Sequence, residues 1–247
     1  MYQAQRLEKI LELLNKKGQV SAKEVVEYLG VSRDTIRRDF QILGERQDVQ
    51  RTHGGLILPK DRANISSYKE RLRELTPSKA QIALKAQRLL KEEGVYFVDA
   101  STITTKIVEE LPKNTKVYSH SLDVAITVSE KENVDFHLLG GEFFKKQRFY
   151  YGRDIDILKS ISFDIVFTGA AGIKGGLITL DDYEDVVVKK LALENAKIKV
   201  LVAELSKFDK DANFILDEIS NFDYFITDKK PSHEIMELLG KDIQIIY

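Results

Sequence analysis

The chain has 247 residues and a mass of 28.2 kDa, which is long enough for one or two domains with substantial cores. Hydrophobic residues make up 43% and charged residues 31%, a composition that excludes disordered and collagen-like classes. The absence of cysteine excludes disulfides, thiolate metal sites and cysteine nucleophiles. Because the N-terminal segment carries no apolar leader and no segment has the length and hydrophobicity of a membrane span, we predict a soluble, cytoplasmic protein with no membrane partner.

Charge is distributed unevenly along the chain. The formal net charge is -1, but residues 1–60 carry 11 Lys and Arg against 8 Asp and Glu, whereas residues 61–247 carry 27 against 31. This asymmetry predicts that only the N-terminal part meets a polyanion.

The first 44 residues show three runs of apolar residues at helical spacing. The apolar positions are Leu7, Ile10, Leu11 and Leu14, then Ala22, Val25, Val26 and Leu29, and then Ile36, Phe40 and Leu43. Ser21 and Ser32 precede the second and third runs as N-caps, and Gly30 ends the second. Two helices joined by so short a turn predict a helix-turn-helix at about residues 20–39.

Two short apolar runs follow the third helix, at 49–52 and 56–58, on either side of Gly54-Gly55. This pattern predicts a β-hairpin, the wing of a winged helix. We therefore expect a winged helix-turn-helix domain over residues 1–58 and a linker over residues 59–77.

From residue 78 onward, short apolar runs alternate with helical patterns. The predicted strands are 95–98, 116–118, 135–139, 164–167, 200–203, 224–227 and 243–246, and the predicted helices are 78–92, 104–111, 122–130, 183–195 and 232–239. Buried strands separated by helices predict a mostly parallel α/β sheet domain over residues 78–247.

The outward face of the third helix is rich in residues that read DNA. Arginine and glutamine recognise guanine and adenine edges, and hydroxyls and arginine bind phosphate oxygens. The DNA-binding candidates are Ser21, Ser32, Arg33, Thr35, Arg37, Arg38 and Gln41, with Arg51, His53 and Gly54 of the wing. A solvated charged face is the alternative, and the surrounding motif favours DNA binding.

The loop after the first predicted strand of the C-terminal domain is rich in hydroxyls and leads into a helix. Asp99, Ser101, Thr102 and Thr104 lie there, at the strand end where open α/β sheets bind ligands and where phosphate is favoured. A plain helix cap is an equally good interpretation. Glycines after later strands would let a ligand approach the backbone or form plain turns: Gly140, Gly141 and Gly169.

Lys145, Lys189 and Lys207 are candidate phosphate partners, although a single lysine is more often solvated. The residues Asp181, Asp182, Glu184 and Asp185 form an acidic cluster ahead of a predicted helix, and we expect them to cap its dipole and face water. The four histidines, His53, His120, His137 and His233, lack metal-ligand spacing, so we predict no metal site.

The chain resembles the DeoR family of bacterial transcriptional regulators. The resemblance lies in VSAKEVVEYLGVSRDTIRRDF with RTHGG, and then in VDASTITT, LLGGE, TGAAGI, Val188-Lys189 and AELSKF in the family's order. It implies a winged-helix domain joined to an α/β domain similar to ribose-5-phosphate isomerase that senses a phosphorylated sugar. It also implies that Ser32, Thr35, Arg37 and Arg38 contact DNA, and it favours Lys189 and Lys207 as effector contacts.

The chain departs from the family pattern at a few positions. Ser101 stands where a glycine commonly precedes paired threonines, Ala171 where the family commonly has an acid, and Phe144 and Gln147 where arginine and threonine are usual. Isomerisation requires a carboxylate base; Ala171 removes the usual one and leaves Asp99 as a remote alternative.

We therefore expect a regulator, most simply a repressor of sugar uptake or catabolism genes, that binds double-stranded operator DNA and a sugar phosphate and needs no cofactor. Reading two half-sites requires a homodimer or homotetramer. The alternatives are an isomerase-like enzyme and a regulator whose altered site responds to another ligand or a protein partner.

Overall fold

The computed structural model describes residues 3–17, 19–44, 49–52, 54–57 and 76–247. Packing divides the chain into two compact units, Met1–Ile65 and Ser66–Tyr247. His53 and most of the predicted linker, residues 59–77, lie outside the described residues.

The N-terminal unit contains three helices and a small antiparallel sheet. Its elements are α1 (Gln3–Lys17), β1 (Gln19–Ser21), α2 (Ala22–Leu29), α3 (Arg33–Gly44), β2 (Gln50–Arg51) and β3 (Gly55–Ile57). Ile10, Val25, Ile36 and Phe40 meet in its core. The predicted helix-turn-helix is confirmed, with α2 and α3 joined through Gly30, whose left-handed φ of 64° ends α2.

A strand absent from the sequence-based prediction completes the wing. β1 pairs with β3, which also pairs with β2, so the sheet order is β1-β3-β2. At Gly55 a Cβ atom would lie 2.1 Å from the carbonyl oxygen of Val20. The second glycine of the RTHGG segment is thus needed for close approach of β1.

The C-terminal unit alternates strands and helices around a parallel sheet. Its strands are β4 (Val95–Val98), β5 (Thr115–Ser119), β6 (Val134–Leu138), β7 (Gly141–Phe144), β8 (Phe149–Gly152), β9 (Ile165–Thr168), β10 (Gly172–Lys174), β11 (Leu177–Leu180), β12 (Lys199–Val202), β13 (Phe214–Glu218), β14 (Tyr224–Ile226) and β15 (Gln244–Ile246). Its α-helices are α4 (Pro77–Gln87), α5 (Thr102–Ile107), α6 (Leu122–Ser129), α7 (Tyr183–Glu194) and α8 (His233–Leu239). Short 3₁₀ turns span Ile155–Ser160, Leu205–Asp209 and Ile219–Asn221.

Seven parallel strands form the central sheet in the order β15-β14-β12-β9-β4-β5-β6. The chain runs outward from β4 through β5 to β6, and then returns to β9 on the other side of β4. Strand order therefore reverses between β4 and β9, and such a switch point opens a crevice at the carboxyl ends of the strands. Separate apolar clusters cover the two faces of the sheet.

All seven strands of this sheet were predicted from sequence, and the α/β fold class is confirmed. The predicted helix 78–92 is too long, because α4 ends at Gln87. Two antiparallel additions were not predicted: a β7–β8 hairpin and a sheet of order β10-β11-β13. Within the described ranges, no helix has both the length and the hydropathy to cross a membrane.

Candidate DNA interface and effector site

Helix α3 has one buried face and one exposed face. Ile36, Phe40 and Leu43 are buried in the core of the unit. The opposite face exposes Arg33, Arg37, Arg38 and Gln41 to solvent, with Thr35 half-buried. The fold thus brings the helix candidates together on one surface that can contact another molecule.

The serine candidates hold the helix ends. Ser21 Oγ accepts the N–H of Glu24 at 3.2 Å and caps α2. Ser32 Oγ accepts the N–H of Thr35 at 3.2 Å and lies 2.8 Å from its hydroxyl. In the wing, Arg51 and Gly54 are exposed. Ser32 and Thr35 therefore fix the start of α3 while remaining near its exposed face.

A buried ion pair that sequence reasoning missed anchors α3. Asp39 is fully buried, and its carboxylate accepts hydrogen bonds from Arg6 Nε at 2.7 Å and Arg6 Nη2 at 3.1 Å. The two-pronged contact joins α1 to α3 and fixes the orientation of the exposed face. The sequence does indicate that Asp39 is buried, since this residue falls within the apolar stripe of Ile36, Phe40 and Leu43.

In the C-terminal unit, Asp99 joins the loops that follow β4 and β9. Its Oδ2 accepts the N–H of Gly169 at 2.7 Å and the hydroxyl of Thr168 at 3.2 Å. Its Oδ1 accepts the hydroxyl of Thr104 at 2.6 Å and the N–H of Ser101 at 2.9 Å. The two loops border the switch point of the sheet, the position at which open α/β sheets bind ligands, and we call this position the switch-point crevice.

The other candidates in the β4 loop differ in whether their hydroxyls already form hydrogen bonds within the protein. Ser101 and Thr104 cap each other at the start of α5, so the helix-cap interpretation holds for both. Thr102 lies on the first turn of α5, where its hydroxyl has no hydrogen-bond partner among the described residues. A Cβ on Gly169 would lie 2.9 Å from Ser101 Cβ. Gly169 is therefore required for the two loops to meet.

Lys189 is buried between two carboxylates rather than presented to solvent. Its side chain is 4% exposed, and its Nζ lies 2.9 Å from Asp99 Oδ2 and 2.8 Å from Asp185 Oδ2. Asp185 Oδ1 lies 2.8 Å from Nε2 of the fully buried His120. We call Asp99, Lys189, Asp185 and His120 the buried polar cluster. Lys189 therefore neutralises both carboxylates in this structure, and its role as an effector contact stays a prediction.

The expectation that the acidic cluster before α7 faces water is wrong for Asp185. The i, i+4 spacing of Asp185 and Lys189 places both side chains on the same side of α7. His120 stacks on Phe97 with ring centroids 5.8 Å apart, and its Nδ1 has no hydrogen-bond partner within the described part of the chain. His120 was not a site candidate, because its sequence position gives no sign of its partner 65 residues away.

Charge pairing controls the protonation of this cluster. Burial raises the pKa of Asp99, but the ammonium of Lys189 and the hydrogen bond from Gly169 outweigh it and hold that pKa well below its usual range. Burial lowers the pKa of Lys189, but the carboxylates of Asp185 and Asp99 raise it above its ordinary value. The pair is therefore ionised at neutral pH.

Asp182, at the N-cap of α7, behaves differently. Burial and the neighbouring carboxylates of Asp181 and Asp185 raise the pKa of Asp182 to about 6. This carboxyl therefore titrates near neutral pH.

The remaining effector candidates are Lys207 and the glycine pair Gly140-Gly141. Lys207 Nζ donates to the carbonyl oxygen of Ala171 at 3.3 Å, in the segment that follows β9. Gly141 begins β7, and a Cβ there would lie 2.0 Å from the carbonyl oxygen of Tyr151. Gly140 precedes that strand, where a Cβ would lie 3.2 Å from Asp154 Oδ2. The glycine pair therefore serves the β7–β8 hairpin, which supports the turn alternative.

Two of the family departures also belong to that hairpin. Phe144 packs against Phe149 with centroids 5.3 Å apart, and Gln147 is buried in the connecting turn. Among the described residues, no group of three or more His, Asp or Glu side chains is placed to hold a metal.

Comparison with known proteins identifies both units. A DeoR-like helix-turn-helix domain model matches residues 6–62, and a DeoR C-terminal sensor domain model matches residues 75–229. The chain is 33% identical over 98% of its length to the HTH-type transcriptional repressor GlcR of Bacillus subtilis (strain 168), covering 95% of that protein. It is 32% identical over 97% of its length to the glycerol-3-phosphate regulon repressor of Escherichia coli (strain K12), covering 96% of that protein.

Among solved structures, a D-ribose-5-phosphate isomerase in complex with phospho-erythronic acid aligns with 56% of this chain and 53% of its own. The identity is 11% and the TM-score 0.40.

Proposed function

This chain belongs to the DeoR family of DNA-binding transcriptional regulators, and from that premise we propose that it is a cytoplasmic repressor released from its operator by a phosphorylated sugar or polyol. The observation that carries the DNA-binding half is the exposed face of α3, where Arg33, Arg37, Arg38 and Gln41 lie together opposite a buried apolar face. In a helix-turn-helix the second helix enters the major groove. Such a face presents bidentate donors to guanine and adenine edges there.

The test is fluorescence anisotropy of the full chain on a labelled fragment of its own upstream region, at several salt concentrations. Arg37→Ala and Arg38→Ala are compared with Lys23→Ala, which removes an exposed cation from α2. An arginine that contacts a base should cost about 1 to 3 kcal/mol and relax specificity at one position. A phosphate contact should weaken all sequences alike and reduce the salt slope by about 1. Unchanged binding of both arginine variants would exclude α3 as the recognition helix.

We propose that the sugar phosphate binds at the switch-point crevice. Ligands of open α/β sheets bind where strand order reverses, and here that position joins the β4 and β9 loops through Asp99. Thr102 offers a hydroxyl without a partner among the described residues, and Lys207 places a cation beside Ala171. A relative named for the glycerol-3-phosphate regulon supports a phosphorylated ligand.

The effector test titrates the protein–operator complex with phosphorylated sugars and polyols and with their dephosphorylated forms. Thr102→Ala and Lys207→Ala should keep operator affinity and lose release by the phosphorylated ligand. Lys210→Ala, an exposed lysine three residues beyond Lys207, should respond as the unmodified chain does. Full response in Thr102→Ala and Lys207→Ala would remove both residues from the site, and release by an unphosphorylated ligand would favour the alternative of a changed effector.

An isomerase function requires a carboxylate that can take a proton from substrate carbon. Asp99 is poorly suited to this task, because both of its oxygens accept hydrogen bonds within the protein and Lys189 holds its pKa far below its usual range. Ala171 supplies no acid in the β9 loop. These features favour a sensor over an enzyme, and turnover of ribose 5-phosphate by the purified chain would contradict that choice.

We further propose that the chain acts as a homodimer or as a pair of dimers. One recognition helix covers too few base pairs for specificity, whereas two related by a two-fold axis read half-sites about 34 to 36 Å apart.

A further inference from the structure

β6 (Val134–Leu138) is an edge strand of the central sheet, with β5 as its neighbour on one side. The N–H of Lys116 donates to Gly94 toward β4, and the N–H of Leu139 donates to Ser119 of β5. Because parallel strands alternate the direction of their peptide groups, the odd-numbered residues of β6 bond to β5. The N–H and C=O groups of Val134, Phe136 and Leu138 therefore point away from the sheet.

These outward peptide groups have no partner among the described residues. Native sheets usually protect such an edge with proline, lysine or a bulge. β6 contains no proline or lysine, and its register with β5 is continuous over five residue pairs. Leu138 is also 39% exposed at this edge. The strand thus keeps the features that permit pairing with another strand.

The side chains of β6 are complementary to a second copy of the same strand in one register. In an antiparallel pair with its two-fold axis at Phe136, Val134 lies opposite Leu138, and Asp135 lies opposite His137. The outward peptide groups of both copies then bond to each other. Asp135 and His137 fall in the non-hydrogen-bonded pairs, where Cα atoms approach to about 4.5 Å and side chains are closest.

Neighbouring registers lose this complementarity. Moving the axis by one residue places Asp135 opposite Asp135, or His137 opposite His137, and leaves outward peptide groups unpaired. Like charges directly opposite each other are destabilising. His137 is held in place for the favoured register, since its ring stacks on Tyr118 with centroids 4.5 Å apart and planes at 7°.

The opposite edge of the sheet lacks these features. β15 has three residues, Gln244–Ile246, and none is charged. It offers a shorter ladder and no aspartate–histidine pair to set a register. Of the two edges of the central sheet, β6 is therefore the one suited to pairing with a second copy.

We propose that β6 is the dimer contact of this protein: two copies pair antiparallel about Phe136, with Asp135 of each copy facing His137 of the other, and join two parallel sheets into one. This contact rests on the proposed function, because a symmetric dimer is what two operator half-sites require.

The first test uses the outward direction of the Leu138 peptide group. Leu138→Pro removes an N–H that faces away from β5, and proline is tolerated at a solvent-facing edge position. Leu138→Ser changes the same side chain but keeps the N–H. By sedimentation equilibrium of the full chain without DNA, we expect Leu138→Pro to weaken association at least tenfold and Leu138→Ser to remain associated. Circular dichroism checks that both variants are folded.

The second test measures the register. Because the chain has no cysteine, Asp135→Cys and His137→Cys each introduce a single thiol. When the two variants are mixed, allowed to exchange subunits and oxidised, the proposed register forms a disulfide between positions 135 and 137 of different copies. We expect this mixed product to exceed the homodimers of either variant alone.

A monomeric unmodified chain, equal association of Leu138→Pro and Leu138→Ser, or no preference for the mixed disulfide would each overturn the β6 contact. Operator binding of the unmodified chain is measured separately. Specific DNA binding by a dimer that tolerates Leu138→Pro would contradict this interface while leaving the proposed function standing.

Discussion

Replacement of Lys189 by methionine should strongly destabilise the C-terminal unit. The lysine nitrogen lies 2.9 Å from Asp99 and 2.8 Å from Asp185 and is 4% exposed. At an effective dielectric constant of about 20, each contact corresponds to roughly 6 kcal/mol of attraction, most of which offsets the desolvation of the ions. Removing the shared partner leaves two buried carboxylates uncompensated, a change that typically costs about 3 to 5 kcal/mol.

The sign of the pH dependence distinguishes this explanation from simple loss of packing. The pKa of Asp99 is lower in the folded protein than in the unfolded chain. The native cluster therefore stabilises the protein at pH values above the unfolded-state pKa of Asp99, and this stability is lost as the pH falls through its folded-state pKa. Without Lys189 both carboxylates prefer the protonated form, so the deficit of Lys189→Met should shrink as pH falls from neutral toward 4.

The measurement is urea unfolding of the full chain followed by far-ultraviolet circular dichroism across that pH range. Lys190→Met, at the exposed neighbouring position of α7, is the matched control. If Lys189→Met does not fold, Asp185→Asn keeps Lys189 paired with Asp99 and should show a smaller loss. A deficit below about 1 kcal/mol at neutral pH, or one that grows as pH falls, would refute the reasoning, since a buried charge must cost more than a surface substitution.

Three further outcomes follow from individual contacts. Asp39→Asn should lower both thermal stability and operator affinity, because it breaks the buried contact that orients α3. Asp34→Asn, at an exposed position in the first turn of the same helix, should lower thermal stability much less. Gly169→Ala should keep operator binding but weaken effector release in the anisotropy assay, because its Cβ would lie 2.9 Å from Ser101 Cβ. The pKa of Asp182 is about 6 in the folded protein against an ordinary 3.8, so ionisation of this carboxyl opposes folding as the pH rises from 3.8 through 6. Because Asp182 is partly exposed, the expected effect is small. In urea unfolding, Asp182→Asn should stabilise the chain by about 1 kcal/mol at neutral pH and by less near pH 4.

Continuous apolar runs made the central sheet predictable. β4 and β9 are four-residue buried strands, and such runs between helical patterns admit few other folds. The order of the strands in the sheet, and with it the position of the switch point, could not be predicted. An alternation of strands and helices along the chain does not say which strands pair with each other. The exposed face of α3 was predictable for the same reason as the strands, since its buried residues repeat at a fixed spacing.

The antiparallel additions escaped prediction because glycine and polar residues interrupt their patterns. Gly175 and Gly176, both with positive φ, join β10 to β11, and from sequence alone this segment is a flexible loop. β13 pairs with β11 through an irregular register. The buried polar cluster was missed for a different reason: Asp99, His120 and Asp185 are remote in sequence, and their partnership depends on how α7 packs on the sheet.

The buried polar cluster also links the two proposals physically. Asp99 borders the switch-point crevice, and His120, at the other end of the cluster, directly precedes Ser121, which caps α6. α6 packs against β6. A ligand that binds one arrangement of the β4 and β9 loops more tightly than another must act through contacts of this kind to alter a dimer. Thr102→Ala should therefore reduce ligand affinity alone, whereas Asp185→Asn, which weakens the link between Lys189 and His120 and keeps Lys189 paired with Asp99, should reduce the effect of a ligand that still binds.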